Sequence, residues 1–456
     1  MAFEMKYDIA KCRPASYNPR LLTDDKKELL AQSLSECGVL KPIIVNGNGT
    51  IIAGHQRTNA MKLLGITHAP AFIIDGINRT DEVRFNQFHN GADIEISGHP
   101  DKIMIDCERE GWNFVSHKSI NIIAKGSHNG VLKKELARLL MRYGDFTSCI
   151  IDHNGRCIVS SEYAAVCKML RRDLWIYKCG PELSARVKYY FAQDYGVFSY
   201  SHIEKHTYIQ SLAQMHRLEG RSKRKSRLYE NLVLPNVNKR QRILDFGAGM
   251  FAYVNHLSRM GYNIRSLEFY YRKNHDLAID VKFVNRCIDD LISNIRRNGL
   301  FDVVICDSVL NSVDSPESER AVVDTCRALC KPGGLIFLSG RLLDGVNRRR
   351  NASISSDKTN YLYFLDLNGF TGNLRYGHWY FQKFHTKSEI KSITRRVGRL
   401  IGSDYTTHVF RLMLENSNPL SRADAHKAID HEFSLPLPGG SYQRASEVRE
   451  AISNFY

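Results

Sequence analysis

The chain has 456 residues, length enough for about three domains, and at 43% hydrophobic and 25% charged it has the composition of globular domains with buried cores. Wholesale disorder is excluded, no apolar stretch reaches the roughly 18–20 residues of a membrane-spanning helix, and the opening MAFEMKYDIAKC has no apolar run of the signal-peptide kind. Charge is the outlying number: 64 Lys and Arg against 48 Asp and Glu give a formal +16, so a polyanion is the first partner expected, nucleic acid ahead of a membrane surface. The 11 cysteines are scattered, without a Cys-x-x-Cys pair or zinc-ligand spacing. They read as small buried hydrophobes of a reducing cytoplasm, and no metal site is expected.

Over residues 26–37, Leu29, Leu30 and Leu34 fall on one helical face. Residues 42–45 and 50–53 are short apolar runs around Asn46-Gly47-Asn48-Gly49, a hairpin signal. Gly54-His55-Gln56-Arg57 follows at once and opens a helix that runs to Leu64. A shift of 106 residues lays residues 27–64 over 133–170 without a gap. Gly38 then falls on Gly144, Ile44-Val45 on Ile150-Ile151, Asn48-Gly49 on Asn154-Gly155 and Ile52 on Ile158. The same order of helix, hairpin and helix is therefore expected twice. The second copy has Ser160 for Gly54 and Tyr163 for Arg57, so it keeps the scaffold and loses the polar apex.

The stretch from Arg217 to Arg227 is strongly basic and reads as a linker. After Pro235 strands and helices alternate. Residues 242–246 form a strand, a glycine-rich turn and a helix over 252–260 follow, and further strands are expected at 264–267, 281–284, 303–306, 335–338 and 409–414. That is the doubly wound α/β pattern. The last forty residues, with Pro419, Pro436, Pro438 and Gly439-Gly440, read as an irregular tail.

Asp245-Phe246-Gly247-Ala248-Gly249 stands between strand and helix, where glycines let a ligand approach the backbone and a helix N-terminus offers free N–H groups. Glu268 ends the next strand, the place from which an acid hydrogen-bonds ribose hydroxyls. Ala252 occupies the third glycine slot of a dinucleotide fingerprint, and the leading acid suits a cationic, phosphate-free cofactor better than a pyrophosphate. With ILDFGAG, SLEF, RCIDDL, FDVVICDSVLNSV and ALCKPGGLIFLSGR in this order, residues 242–341 resemble a class I S-adenosylmethionine-dependent methyltransferase. The resemblance implies S-adenosylmethionine as cofactor, with Asp245, Gly247 and Gly249 on its methionine part, Glu268 on the ribose, and Ile288 and Asp289 flanking the adenine. It puts Asp307 where acceptor and methyl group meet. Asn311 and Asp314 either orient a substrate or cap the helix that follows Ser315.

The (D/N/S)PP(Y/F) tetrad of adenine-N6 and cytosine-N4 enzymes is absent from Asp307-Ser308-Val309-Leu310-Asn311, and no cysteine follows a proline as in cytosine-C5 enzymes. The likeness is closer to the broad branch acting on small molecules. Arg348, Arg349 and Arg350 precede the aromatics Tyr361, Tyr363, Phe364, Phe370, Tyr376, Trp379, Tyr380 and Phe381. These either serve a nucleic-acid backbone and an extruded base or build a sixth strand and a lid.

Ser16-Tyr17-Asn18-Pro19-Arg20 and GVLKPIIVNGNGTIIAGHQRTNA resemble the N-terminal domain of the ParB/sulfiredoxin superfamily over residues 5–92. The resemblance implies a nucleoside triphosphate whose phosphates are cradled by Gly54, His55, Gln56 and Arg57; a turn of this kind also serves simply as a helix cap. No helix-turn-helix reader follows, and Asn86 in RFNQFHNGAD matches the second nucleotide motif of partition proteins only loosely.

The expected fold is α/β multidomain: two tandem small α+β ParB-like modules followed by a doubly wound, Rossmann-like methyltransferase domain. The modules span 1–97, with the GHQR box, and 98–212, degenerate; a basic linker covers 213–240, the methyltransferase domain 241–416 and the tail 417–456. The function expected is a cytoplasmic methyltransferase of a phage, plasmid or other mobile element, acting on DNA or a nucleotide. Nucleic acid is the expected partner, with a dimer or partner protein engaged through the ParB-like modules. Two readings stand beside it: a nucleotide-controlled DNA-binding protein with a vestigial methyltransferase fold, and a small-molecule methyltransferase with a ParB-like partner module.

Overall fold

A computed structural model describes residues 2–18, 20–91, 101–126, 130–193, 197–213, 217–218, 224–272, 278–350, 365–418, 420–437 and 440–456. It divides into two compact units, Met1–Ile203 with Asn347–Leu367 and Glu204–Val346 with Asn368–Tyr456.

The first unit opens with β1 (Ala2–Asp8), α1 (Asp24–Cys37), β2 (Ile43–Asn46), β3 (Ile51–Ala53), α2 (His55–Leu63), β4 (His68–Ile74) and α3 (Arg79–Gly91). Then come β5 (Gly111–Val115), α4 (Gly130–Tyr143), β6 (Cys149–Ile151), β7 (Cys157–Val159), α5 (Ser161–Leu170), β8 (Leu174–Lys178) and α6 (Pro181–Phe191). The two four-stranded sheets have one order, β1-β4-β2-β3 and β5-β8-β6-β7. Each element from α1 to β4 has a counterpart that starts 106 residues later: 24 and 130, 43 and 149, 51 and 157, 55 and 161, 68 and 174.

The hairpin turns explain how two diverged sequences keep one register. Asn46 Oδ1 accepts from the backbone N–H of Asn48 (3.0 Å) and Thr50 (2.9 Å), and Asp152 Oδ1 accepts from Asn154 (3.0 Å) and Arg156 (2.9 Å). An Asn or Asp side chain used in this way fixes the turn without help from the rest of the fold. The glycine inside each turn is left-handed, with φ 79° at Gly49 and 83° at Gly155. A Cβ would stand 2.5 Å from the Lys11 carbonyl oxygen in the first and 2.8 Å from that of Ile105 in the second. The copies share a core in which Cys37 and Leu40 of the first pack with Ile150, Cys179, Val187 and Tyr190 of the second. A buried charge network also joins them: Arg138 donates to Asp81 (2.9 Å) and Glu135 (2.8 Å), and Arg84 to Glu135 (3.4 Å).

The second unit comprises β9 (Arg242–Phe246), α7 (Ala252–Arg259), β10 (Asn263–Leu267), α8 (Val281–Asn298), β11 (Phe301–Cys306), α9 (Pro316–Leu329), β12 (Cys330–Leu342), β13 (Phe370–Arg375), β14 (His378–His385), α10 (Lys387–Val397), β15 (Arg399–Tyr405), β16 (Val409–Glu415), α11 (Arg422–Glu432) and α12 (Ala445–Ile452). The strands β10-β9-β11-β12 run parallel, β16 pairs antiparallel with both β12 and β15, and the end of β12 runs parallel to β14 of the β13–β14 hairpin. Ile243, Leu244, Val303, Val304 and Ile305 have no exposed surface, as expected of central parallel strands covered on both faces. The chain leaves β9 for β10 on one side and returns to β11 on the other. The crevice of a doubly wound sheet lies at that reversal, outside the strands' carboxyl ends.

Residues 281–284 are the start of α8 and not a strand. Asp280 caps the helix by accepting from the Phe283 N–H (2.9 Å), and Val284, Ile288, Leu291, Ile292 and Ile295 form its buried face. A stretch as short as Val281-Lys282-Phe283-Val284 fits either element, and the longer 3.6-residue period decides here. Among the described residues the sheet therefore ends at β10, with no third strand beyond it. The described residues of the last forty include regular structure as well: Ser421 caps α11 (3.1 Å to the Asp424 N–H), and Ala425, Ile429, Phe433, Val448 and Ile452 are buried there. Within the supposed linker, Leu228, Tyr229, Leu232, Val233 and Val237 belong to the core against the sheet. Phe370, Tyr380 and Phe381 are buried in the β13–β14 hairpin. The side chains of Arg348, Arg349 and Arg350, and Tyr361, Tyr363 and Phe364 altogether, lie outside the described residues. No helix among the described residues is long and apolar enough to cross a membrane.

The turn geometry gives a stability test. Gly49→Ala must hold a left-handed residue against a backbone carbonyl and is expected to cost about 2–4 kcal/mol, a fall of roughly 5–15 °C in the melting temperature of the first unit. Gly65 is also left-handed (φ 70°) but has nothing within 4 Å of a Cβ, so Gly65→Ala is expected to cost only about 1 kcal/mol. Equal losses in calorimetry would show that the carbonyl contact does not matter.

Candidate functional site

Polar groups converge at the carboxyl ends of β9, β10 and β11. After β9 the N–H groups of Gly247 and Ala248 bond back to the Leu267 carbonyl at the end of β10 (2.8 and 3.3 Å). That fold-back needs left-handed glycine: φ is 76° at Gly247, where a Cβ would lie 2.4 Å from Val309 Cγ2. Glu268 braces the turn from the neighbouring strand, Oε2 accepting from the Gly249 N–H (2.6 Å) and Oε1 from that of Tyr270 (2.8 Å). Asp245, Gly247, Gly249, Glu268 and Asp307 all line one cleft, with about 1100 Å³ of space open to solvent on one side.

Asp307 is saturated. Its Oδ1 accepts from Ser339 Oγ (2.7 Å) and Ser308 Oγ (3.1 Å), its Oδ2 from Ser226 Oγ (2.7 Å) and Arg217 Nη2 (3.2 Å). A carboxylate has about four lone-pair sites, so this group clasps Arg217 and Ser226 to the sheet and has none left for a substrate. Asp245 is in the opposite condition. Burial pushes its carboxyl up to about 7; the Tyr229 hydroxyl and Arg217 pull it down, and Asp307 and Glu268 add to the rise. Tyr229, stacked on Tyr253 at 4.0 Å, keeps its buried hydroxyl without a well-formed hydrogen bond. Three carboxyl groups around one guanidinium leave negative charge uncompensated. Such a site fits a cationic group and disfavours a pyrophosphate, so these residues fit S-adenosylmethionine.

The other expected residues of this domain are elsewhere. Asn311 points its amide at Ser312 Oγ (3.2 Å) and is not part of the cleft wall. Ile288 lies in the core under α8, and the exposed Asp289 pairs with Arg444 Nη2 (2.5 Å). Neither reaches the cleft, because the strand that would have carried them to it is a helix. Ser315 caps α9, accepting from the Ser318 N–H (3.1 Å), while Asp314 accepts from Thr207 Oγ1 (2.7 Å) and Ser318 Oγ (2.9 Å). Arg217, Ser226, Tyr229 and Glu432 went unrecognised in the sequence. Arg217 was submerged in a basic run, and Glu432 follows no motif.

In the first unit a second cleft is lined by Gly54, His55, Gln56 and Arg57, by Lys41 and Asn18, and by Tyr190 and Gln193 of the second copy. Gly54 (φ 100°) caps α2, with Ile43 Cγ2 at 2.9 Å from where a Cβ would stand. Arg57 Nη1 donates to the Lys41 carbonyl. His55 Nε2 accepts from the Ala15 N–H (3.1 Å), and burial lowers its pKa to about 4, so it is a neutral acceptor holding the chain entry. In the second copy Ser160 keeps the left-handed turn (φ 65°). Tyr163, 2% exposed and packed against Phe146 at 5.3 Å, occupies the counterpart of Arg57. An apolar plug without a guanidinium cannot hold a phosphate there.

The two units thus define a doubled α+β module with one polar turn and a Rossmann-like domain with an acid-lined cleft. The chain belongs to the ParB family through a ParB N-terminal domain at residues 5–90, and it carries a methyltransferase domain at residues 216–396. The ParB-like nuclease domain-containing protein YnaK of Escherichia coli is 30% identical over 74 residues, 16% of this chain and 83% of that protein. A probable chromosome-partitioning protein ParB of Rickettsia felis is 27% identical over 169 residues, 35% of this chain and 56% of that protein. The ubiquinone biosynthesis O-methyltransferase of Colwellia psychrerythraea is 32% identical over 103 residues, 22% of this chain and 41% of that protein. The chain therefore spans little more than half the length of the partitioning protein and less than half that of the O-methyltransferase.

The acid cluster makes ligand-free stability depend on pH. Folding raises the Asp245 pKa from 3.8 to about 7, so its contribution is fully present below about 3.8 and is lost as pH rises through about 7. Glu432, raised from 4.5 to about 8 mainly by burial, acts in the same direction. Thermal melts are expected to show stability falling between pH 5 and pH 8, and Asp245→Asn is expected to flatten part of that fall. A profile that Asp245→Asn leaves unchanged would contradict the assignment.

Proposed function

We propose that the chain is an S-adenosylmethionine-dependent methyltransferase whose acceptor is DNA or a nucleotide. The observation that carries the cofactor assignment is the uncompensated acid cluster of Asp245, Glu268 and Asp307 around the Gly247–Gly249 turn. Asp245 would take the cofactor's ammonium group, the glycine backbone would lie along its methionine part, and Glu268 would exchange its bond to the Gly249 N–H for the ribose hydroxyls. The bound cofactor supplies a methyl group on a sulfonium, ready for displacement by a nucleophile. What the chain adds is alignment and exclusion of water, which supply much of the rate in such a transfer. Asp307 serves this as a positioning residue, through its hold on Arg217 and Ser226.

A nucleic-acid or nucleotide acceptor is supported by the +16 charge and by the likeness to partitioning proteins. The turn of Gly54, Gln56 and Arg57, with Lys41 beside it, would hold the phosphates of a nucleoside triphosphate in the first copy alone. A small-molecule acceptor is the second reading, favoured by the sequence Asp307-Ser308-Val309-Leu310-Asn311, which lacks the base-methylating tetrad.

Two measurements test this. S-adenosylhomocysteine binding by titration calorimetry is expected in the full chain and should weaken at least tenfold in Asp245→Ala, in line with the ~1.5–3 kcal/mol of a charged hydrogen bond. Labelled methyl should pass to DNA or a nucleotide; transfer to small phenols alone would move the conclusion to the second reading. Separately, Arg57→Ala is expected to weaken nucleoside triphosphate binding at least tenfold, and Tyr163→Phe to leave it unchanged.

A further inference from the structure

One carboxyl group in the methyltransferase cleft has no role in the proposed binding of the cofactor's methionine part or ribose. Glu432, the last residue of α11, is 4% exposed, lines the cleft and makes no hydrogen bond among the described residues. A buried carboxyl in that condition is unfavourable unless a proton or a ligand compensates it. The charged group acting on it is another acid, Asp314, and burial first, then Asp314, pushes it up to about 8. At neutral pH it is a carboxylic acid, offering one O–H donor and one carbonyl acceptor side by side on a planar group.

Its place in the cleft follows from its neighbours. Glu432 lines the cleft together with Glu268, Phe269 and Tyr270 at the end of β10. The cleft wall also includes the apolar side chains of Phe269, Val313 and Leu435. The segment carrying Glu432 is held against the end of β10: Phe433 packs edge-on to Phe269 at 5.1 Å, and the Tyr442 hydroxyl donates to the Phe269 carbonyl.

We infer that Glu432 recognises the adenine of the cofactor, its carbonyl oxygen accepting from the exocyclic amino group while its O–H donates to the adjacent ring nitrogen. This rests on the methyltransferase reading. An amide side chain presents the same donor and acceptor pair, as Asn and Gln do when they read adenine in DNA, so Glu432→Gln should preserve the contact and Glu432→Leu should remove it.

The test is calorimetric binding of S-adenosylhomocysteine and of its deaminated purine analogue, whose ring bears hydrogen in place of the amino group and keeps the adjacent ring nitrogen as an acceptor, to the full chain and both variants. The wild-type chain is expected to prefer the adenine ligand at least tenfold. Glu432→Gln should keep S-adenosylhomocysteine affinity within about threefold and retain the preference. Glu432→Leu should lose at least tenfold in affinity and bind the two ligands within about twofold of each other. If Glu432→Leu fails to fold, the wild-type ratio decides alone: a preference below about twofold overturns the inference. Full affinity and preference in a folded Glu432→Leu also overturn it. A folded wild-type chain that binds neither ligand overturns the methyltransferase reading itself.

Discussion

Negative charge that the protein does not neutralise governs the second unit. Asp245, Glu268 and Asp307 are brought together because each ends one of three adjacent parallel strands, and strand ends are where a doubly wound sheet opens. Hydrophobic burial of Ile243, Val303 and Ile305 fixes those strands, so the acids are carried inward whatever their mutual repulsion. Each meets that constraint differently. Glu268 accepts backbone N–H groups, Asp307 accepts four donors, and the Asp245 carboxyl is pushed up to about 7 by burial. Arg217, Ser226 and Tyr229, all from the chain before β9, are recruited to the same charge.

What could be read from the sequence was what is fixed locally. The Asn-Gly turn determines its own conformation through Asn46 and Asp152, so the repeat at 106 residues was legible across weak identity. The acids at the ends of β9, β10 and β11 were legible because each marks the end of a strand in the alternating order of strands and helices. Residues 281–284 were misread because four residues, three of them apolar, are too few to carry a period, and the deciding residues, Leu291 to Ile295, lie about two to three turns beyond. The tail looked irregular for its prolines and glycines, yet Ile429 and Val448 find partners only through tertiary contact. Glu432 and Arg217 could not have been found at all: what marks them is burial and neighbours, which a linear chain does not display.

The doubling of the first unit separates scaffold from site. Both copies keep the Asx turn, the left-handed glycine, and a left-handed residue at the start of the following helix. Only one keeps an arginine behind it. The second copy spends the same volume on Tyr163 and Phe146, and contributes α6 to the shared core and to the cleft of the first. Some basic residues are committed to acids within the fold, Arg217 to Asp307, Arg396 to Asp324 and Arg399 to Glu415, and because each pair takes one charge of either sign the +16 excess is left to the rest of the chain.

The clasp at Asp307 has a consequence for recognition. Ser226 and Arg217 share one carboxylate oxygen, and Arg217 is also the cation that faces Asp245. One guanidinium therefore serves two acids, and removing it would at once leave Asp307 short of a donor and take away the positive charge that holds the Asp245 carboxyl down.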